Sequence, residues 1–277
     1  MTRIGLLSDL HWAGPGATGA WHNPYDFDGV PARVRAALEW MADERVDLIA
    51  VTGDLCHHGE PSALAAVRET LAAPSAPVRV VLGNHDGGGL AWPALAAAPE
   101  AVAGVRLCGV PVRNDAGWFA AGIEPPPDLD TAGDDEALVV LSHFPLVSFA
   151  ARVAEQGFAY PGDGLGRAQV LAALRARRAA SIVLSGHIHA RAAAIAGPVL
   201  QLVIGPLIEA PYEAEIVTIE RREAGLDVHR ETRGLAGPAP SRPFPELDPE
   251  SALSYRDGVW SAVRSRPATA PIAGGIS

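Results

Sequence analysis

The sequence predicts an α/β fold whose strands are buried on both faces, followed by a second sheet that is antiparallel or mixed. Short apolar runs recur through the chain and end in polar patches: Ile4-Gly5-Leu6-Leu7, Leu48-Ile49-Ala50-Val51, Val78-Arg79-Val80-Val81-Leu82, Leu138-Val139-Val140-Leu141 and Ile182-Val183-Leu184. Near-continuous hydrophobic runs of this kind read as strands covered on both sides. Segments of helical spacing lie between them, and that alternation marks an α/β chain. From residue 181 onward strand signals follow one another without helices, which indicates the second sheet.

Each element follows in order. Strand 4–7 leads to Asp9 and then to a Gly-, Pro- and aromatic-rich loop from Trp12 to Gly29. Pro31 sits where a helix would start, since its fixed φ and missing N–H suit the first turn. Val34, Leu38 and Met41 continue at helical spacing through Asp43. After strand 48–52, Pro61-Ser62 opens a second helix with Leu64, Val67 and Leu71 on its apolar stripe. Strand 78–82, a short Ala-rich helix near 91–98 and a strand near 105–110 come next. Residues 124–136 hold three consecutive prolines and many acids, and read as solvated loop. Strand 137–141 precedes His143. Gly166 to Arg178 reads as an amphipathic helix (Val170, Leu171, Leu174) whose basic last turn suits the helix dipole. Strands are expected at 181–185, 190–196, 199–204, 213–220 and 225–232. Residues 236–277 hold seven prolines and no clear periodicity, so the body is expected over 1–235 and a Pro-rich C-terminal tail over 236–277. Tyr255 and Trp260 hint that part of the tail docks.

Composition narrows the function. With 48% hydrophobic and 19% charged residues in 277, the chain has ample core material and no sign of global disorder. A net charge of −10 argues against tracking a nucleic-acid backbone. It leaves room for an anionic substrate, because bound cations dominate a local field. All 22 basic residues are Arg, which reads as a compositional bias of the source genome. Cys56 and Cys108 are too few for a disulfide framework, so a reducing compartment is expected. The N-terminus shows no charged-then-apolar leader, and no apolar stretch approaches the ~20 residues that span a bilayer. The expectation is a soluble, cytoplasmic protein without a membrane partner; a dimer is compatible with the sequence but not specified by it.

The chemistry lies in five polar patches: Asp9-Leu10-His11, Gly53-Asp54, Gly83-Asn84-His85-Asp86, His143, and Gly186-His187-Ile188-His189. Ligands in open α/β sheets bind beyond the carboxyl ends of the strands, and each patch follows an apolar run. Asp, His and Asn without Cys suit Zn, Mn or Fe, not a thiolate-closed structural zinc. Asp9, His11, Asp54, Asn84, His143, His187 and His189 exceed what one catalytic metal takes from protein. Two metals sharing a bridging carboxylate would use them all. Such pairs, roughly 3.5–4 Å apart, clamp the attacking and leaving oxygens of an in-line displacement, which is phosphoryl chemistry. In Asp9-x-His11 and His187-x-His189, extended residues separated by one project to the same side.

In this order and spacing the patches resemble the signature of the calcineurin-like metallophosphoesterase superfamily, over about residues 3–220. Gly53-Asp54-Leu55 with Gly59, and Ser142-His143-Phe144-Pro145, most resemble the bacterial class III cyclic-nucleotide phosphodiesterases. The Asp-Arg-Gly extension of the Ser/Thr protein phosphatases is replaced here by His57-His58-Gly59. The resemblance implies two packed mixed β-sheets flanked by helices, a four-layer metallophosphoesterase sandwich whose catalytic domain spans 1–235. It implies Asp9, His11, Asp54 and His189 on a first metal, with Asp54 bridging to a second that Asn84, His143 and His187 complete. A hydroxide between the two metals would be the nucleophile, its pKa lowered by both, so no covalent phospho-enzyme is expected. His85 cannot easily join the metal of its neighbour Asn84, because adjacent side chains diverge. It is expected to protonate the leaving oxygen, with Asp86 orienting its ring. Asn84 and His85 would contact substrate, and His57, His58, Trp12 and Trp21 would line the mouth.

Each patch alone has a plain reading: a helix cap, a turn, a loop histidine. Five of them in order at strand ends is what defeats those readings. His57 and His58 read equally well as two solvated loop histidines, and the aromatics of loop 12–29 either stack a base or staple the loop to the body. His22 and His229 read as structural. The expected activity is a dinuclear phosphoesterase acting on a small, anionic, nucleotide-like phosphodiester or phosphomonoester. A phosphatase or pyrophosphatase on another small metabolite is the alternative. The acidic charge disfavours a nuclease, and retention of every ligand disfavours a non-catalytic scaffold.

Overall fold

A computed structural model describes residues 1–86, 100–102, 105–113, 121–126, 129, 136–158, 163–244, 246–247 and 251–263. Two seven-stranded mixed sheets and one two-stranded ribbon account for the strands. The first sheet contains β1 (Thr2–Leu7), β2 (Leu48–Val51) and β3 (Val78–Val80), which run parallel as neighbours. The second contains β4 (Glu100–Val102), β5 (Val105–Gly109), β8 (Leu138–Leu141), β9 (Ser181–Ser185), β10 (Arg191–Ala196), β11 (Val199–Val203) and β14 (Glu246–Leu247); β6 (Val112–Arg113) and β7 (Gly122–Ile123) form the ribbon. The first sheet is completed by the antiparallel strands β12 (Glu213–Arg222), β13 (Gly225–Gly234), β15 (Ala252–Arg256) and β16 (Val259–Ala262). The order is β16-β15-β13-β12-β1-β2-β3 in the first sheet and β14-β10-β11-β9-β8-β5-β4 in the second.

The apolar runs explain the layers. Successive strand residues face opposite sides, and here both sides are covered. Ile4, Leu6, Leu48 and Ala50 of the first sheet meet Leu107, Val139, Leu141, Ile182, Leu184, Leu200 and Leu202 of the second in one inner core. Their alternates Leu7, Ile49 and Val51 face outward onto α1 (Val30–Asp43) and α2 (Pro61–Ala72) through Val34, Met41, Val67 and Leu71. On the far side, Leu138, Val140 and Val183 pack on α4 (Arg167–Ala176), while α3 (Ala150–Glu155) sets Val153 against Ala192 and Val203. Helix, sheet, sheet, helix is the four-layer α/β sandwich that the family resemblance implies. Truncating an inner residue such as Leu184, which is fully buried, to Ala would cost about 2–5 kcal/mol.

Several expectations shift. The region read as a tail without periodicity contributes β15 and β16, an antiparallel hairpin paired to β13. Its strands are short and edge-bound, so the signal is two aromatics, Tyr255 and Trp260, both buried in the inner core, and not a long alternation. The short helix α3 has only six residues and no side-chain cap, and leaves little mark in sequence. The helix expected near 91–98 lies outside the described residues, as does most of the acidic loop. Among the described residues no helix is long and apolar enough to cross a membrane.

Candidate metal centre

The carboxyl ends of β1, β2 and β3 in one sheet, and of β8 and β9 in the other, open onto the same edge of the sandwich. All seven candidate ligands are buried there. They form two overlapping groups. Asp9, His11 and His189 bring ligand atoms within 4.8 Å of one another, and so do Asp9, Asp54 and His143. His187 Nδ1 lies 3.1 Å from His143 Nε2, which is 2.9 Å from Asn84 Oδ1. One oxygen, Asp54 Oδ2, stands 3.4 Å from His11 Nε2 and 3.4 Å from His143 Nε2.

The backbone that achieves this is not extended. Asp9, His11, Asp54, His187 and His189 all have φ between 45° and 69°. The left-handed region costs a non-glycine residue about 1–2 kcal/mol, so five of the seven candidates sit in strained turns. Asp9 and His11 therefore share a side because each is turned back toward the strand ends, not because they alternate along a strand. Two glycines make room: a Cβ on Gly83 would collide with Asp54 Oδ1, and one on Gly186 would collide with Ser8 Oγ.

Several partners aim the ligands. His143 Nδ1 is 2.9 Å from Thr52 O; a carbonyl only accepts, so Nδ1 carries the proton and Nε2 presents a lone pair. That lone pair faces the Asn84 oxygen. Asp9 accepts from the Ser8 hydroxyl at 2.6 Å and from the His187 N–H at 3.1 Å. His189 Nδ1 lies 2.5 Å from Glu209 Oε1, which leaves its Nε2 3.5 Å from Asp9 Oδ1. Glu209 is fully buried, also accepts from the Asn23 N–H, and was not read from the sequence. Its one signal is a lone acid inside the apolar stretch 199–212.

Electrostatics agree with a cation site. Burial and neighbouring imidazoles push His11 and His187 well below their usual pKa, so both are neutral donors of lone pairs. Burial opposes the charged forms of Asp9 and His189, but their mutual attraction wins; Asp9 falls to about 2, and His189, with help from Glu209, rises to about 10. A divalent cation in place of that proton satisfies the same carboxylates. Among the described residues, the buried Nε2 atoms of His11, His187 and His189 have no hydrogen-bond partner. Unpaired buried nitrogens are costly, and those of His11 and His189 stand 3.4 Å and 3.5 Å from carboxylate oxygens of Asp54 and Asp9. The residues fit metal ions.

The remaining candidates divide. His85, half-buried, puts its Nδ1 2.9 Å from the His57 carbonyl and its N–H 2.9 Å from Asp54 Oδ1. The expectation that Asp86 orients the His85 ring is corrected: both Asp86 oxygens accept from backbone N–H groups, Gly83 at 2.7 Å and Cys56 at 3.0 Å. Asp86 ties two strand-end loops together, and burial with Asp54 nearby raises it to about 7. Trp12 is likewise corrected. Its indole packs into the apolar core beneath α1 and α2. Phe27 packs in that core too, whereas the Trp21 and Tyr25 rings stand 4.7 Å and 5.8 Å from His189. His57 is buried, not solvated as the plain reading had it, while His58 is exposed beside it. Burial, then His58 and His85, hold His57 down at about 4.

The family model described as Calcineurin-like phosphoesterase matches residues 2–191. A dimetal phosphatase from Danio rerio is 17% identical, over 84% of this chain and 96% of its own, with a TM-score of 0.59. A Thermus thermophilus protein is 14% identical over 84% and 98%, with a TM-score of 0.55. The purple acid phosphatase of yellow lupin (Lupinus luteus) seeds is 14% identical over 83% and 51%, with a TM-score of 0.54. These likenesses concern the fold, and no curated protein sequence matches. With a family match that spans both halves of the strand-end cluster, the chain belongs to the calcineurin-like phosphoesterases, as a metal-dependent phosphoester hydrolase with a two-metal centre.

Proposed function

We propose that this chain hydrolyses a small nucleotide-like phosphodiester, in the manner of the class III cyclic-nucleotide phosphodiesterases. The observation that carries the reading is Trp21: a partly exposed indole standing 4.7 Å from the His189 ring and 6.0 Å from the His187 ring. An aromatic face beside a phosphoryl site suits a stacked base, a contact worth about 1–3 kcal/mol. The net charge of −10 favours a small anion steered by bound cations over a nucleic acid.

Asp9, His11, Asp54 and His189 would hold one metal; Asp54, Asn84, His143 and His187 would hold the other. Asp54 Oδ2, 3.4 Å from an imidazole of each set, supports its bridging role. When bound, the metal pair supplies Lewis acidity to the phosphoryl oxygens and a nucleophile drawn from water at neutral pH. His85 donates Nδ1–H to the His57 carbonyl, which leaves Nε2 as the nitrogen that exchanges a proton with the leaving oxygen as the P–O bond breaks. Asp86 serves as a loop clamp in this scheme. Buried free thiols at Cys56 and Cys108 support a reducing, cytoplasmic setting.

The test is turnover of the metal-reconstituted protein on bis-p-nitrophenyl phosphate, p-nitrophenyl phosphate and a panel of cyclic and linear nucleotides. Diester turnover about tenfold above monoester, with cleavage of cyclic nucleotides, is expected. Trp21→Ala should raise KM for a nucleotide about tenfold, in line with one lost stacking contact, and leave a non-aromatic phosphodiester near its native KM. A preference for monoesters, or a Trp21→Ala variant with unchanged nucleotide KM, overturns the reading.

A further inference from the structure

His57 lies outside the set of metal ligands, yet two of its atoms reach the site. Its carbonyl accepts from His85 Nδ1 at 2.9 Å, and its own Nδ1 stands 3.2 Å from His11 Nδ1. Two imidazole nitrogens at that separation share one proton, so one donates and the other accepts. Which one is decided by the other end of His11. Its Nε2 is buried without a hydrogen-bond partner and lies 3.4 Å from Asp54 Oδ2. To bind a metal that nitrogen must carry a lone pair, so the proton of neutral His11 sits on Nδ1 and is donated to His57.

The contact is held from both sides. The His57 N–H donates to the Trp12 carbonyl at 3.1 Å, and residues 12 and 56 form a parallel bridge, so the two loops are tied together. Phe27 and Tyr25 stand against the His57 ring with centroids at 5.0 Å and 5.8 Å. His143 and His189 each have an acceptor on the nitrogen that faces away from the cluster, Thr52 O and Glu209. For His11 only His57 stands in that place among the hydrogen bonds described.

We propose that His57 is a positioning residue: its Nδ1 fixes the tautomer and direction of His11, so that His11 presents Nε2 to the first metal. Its backbone carbonyl sets the His85 ring in the same way. The inference rests on the reading of His11 as a ligand. The nitrogens of His11, His57 and His85 also lie within 4.8 Å of one another, a spacing a cation could use. Yet His85 Nδ1 is committed to a carbonyl and the two facing Nδ1 atoms to each other, so a proton fits that contact better than an ion.

The experiment measures both zinc affinities of the full chain by chelator competition, with 15N-histidine spectra of the zinc-loaded protein to read the His11 tautomer. His57→Phe keeps the ring and removes the acceptor, whereas His57→Asn keeps an acceptor oxygen close to the Nδ1 position. Losing such a partner typically costs 10–100-fold in metal affinity. His57→Phe should weaken one zinc by that factor and spare the other; His57→Asn should stay near wild type, with His11 protonated at Nδ1. If His57→Phe fails to fold by its melting curve, His57→Leu carries the same comparison. Native affinities in the variant lacking the acceptor, or equal losses in it and in His57→Asn, overturn the proposal. A third zinc in wild type that vanishes with His57 overturns it too, and assigns the three imidazoles to a cation. His11→Ala separates the two levels: if it keeps both zinc affinities, the ligand reading itself fails.

Discussion

Between the sheets, Arg230 and Glu215 satisfy each other. The guanidinium donates to both carboxylate oxygens at 2.7 Å and 2.5 Å and gives two further N–H groups to the Ala192 and Val203 carbonyls across the sandwich. Both side chains are buried. At the strand ends an equally buried cluster leaves the Nε2 atoms of three histidines without a partner and holds five residues in left-handed backbone. Burial and charge are alike in the two places. What differs is closure: a buried polar cluster that closes on itself holds the fold, and one that converges with lone pairs to spare is built for something that arrives later.

That contrast can be broken at either end. The largest effect is expected from Asp54→Ala, which removes an oxygen standing 3.4 Å from an imidazole of each half of the cluster; turnover should fall at least about a thousandfold, ~4 kcal/mol of transition-state stabilisation. Near-native rates would sink the bridging role. Arg230→Met should leave metal content intact but destabilise the protein by about 3–5 kcal/mol in urea unfolding, since Glu215 is left buried and uncompensated. The double replacement with Glu215→Met should recover most of that loss. If Arg230→Met instead stripped the metals, the two clusters would not be separable.

Glu213 lies between the extremes. It is buried, pairs with Arg191 at 2.7 Å through Oε1, and has no partner on Oε2. Burial outweighs that arginine and raises it from 4.5 to about 7. The folded protein therefore keeps a proton that the unfolded chain releases, so stability falls as pH rises from about 4.5 to about 7 and levels off above. The difference between wild type and Glu213→Gln should change by on the order of 3 kcal/mol across that window; parallel pH profiles would refute it. The smallest effect is reserved for Glu209→Gln. The amide oxygen still accepts from His189, but the amide nitrogen then faces the Asn23 N–H, so the charge and that hydrogen bond are lost, and affinity for one metal should fall about tenfold, the low end for such partners. Unchanged affinity would make Glu209 a loop anchor only.

Much of the site was legible because each ligand follows a strand that sequence marks plainly. A run such as Leu138-Val139-Val140-Leu141 has nowhere to go but the interior, and its end delivers His143 whatever the rest of the chain does. The partners of those ligands were not legible. Glu209, His57 and Thr52 sit in loops whose sequences carry no pattern, and they meet their histidines across 20, 46 and 91 residues of chain. The reading of Trp12 failed because its indole is taken up by the apolar core with Phe27 and Leu38, a contact that only the fold brings about. The docking of Tyr255 and Trp260 was legible from their aromatic character, but their hairpin was not, because two strands of five and four residues repeat too few residues to show a period.

The sequence by itself determined the buried strands, the five strand ends and the seven residues that gather there, since burial of apolar runs and the types of side chain beyond them are local properties. It did not divide the strands between the sheets, for β5 and β8 join β9 while β12 and β13 return to β1. Tertiary structure alone decided which nitrogen each histidine presents, that Asp86 clamps loops instead of orienting His85, and that Arg230 closes on Glu215. Those outcomes depend on hydrogen-bond partners brought together from distant segments, and a donor's direction exists only once its acceptor is in place.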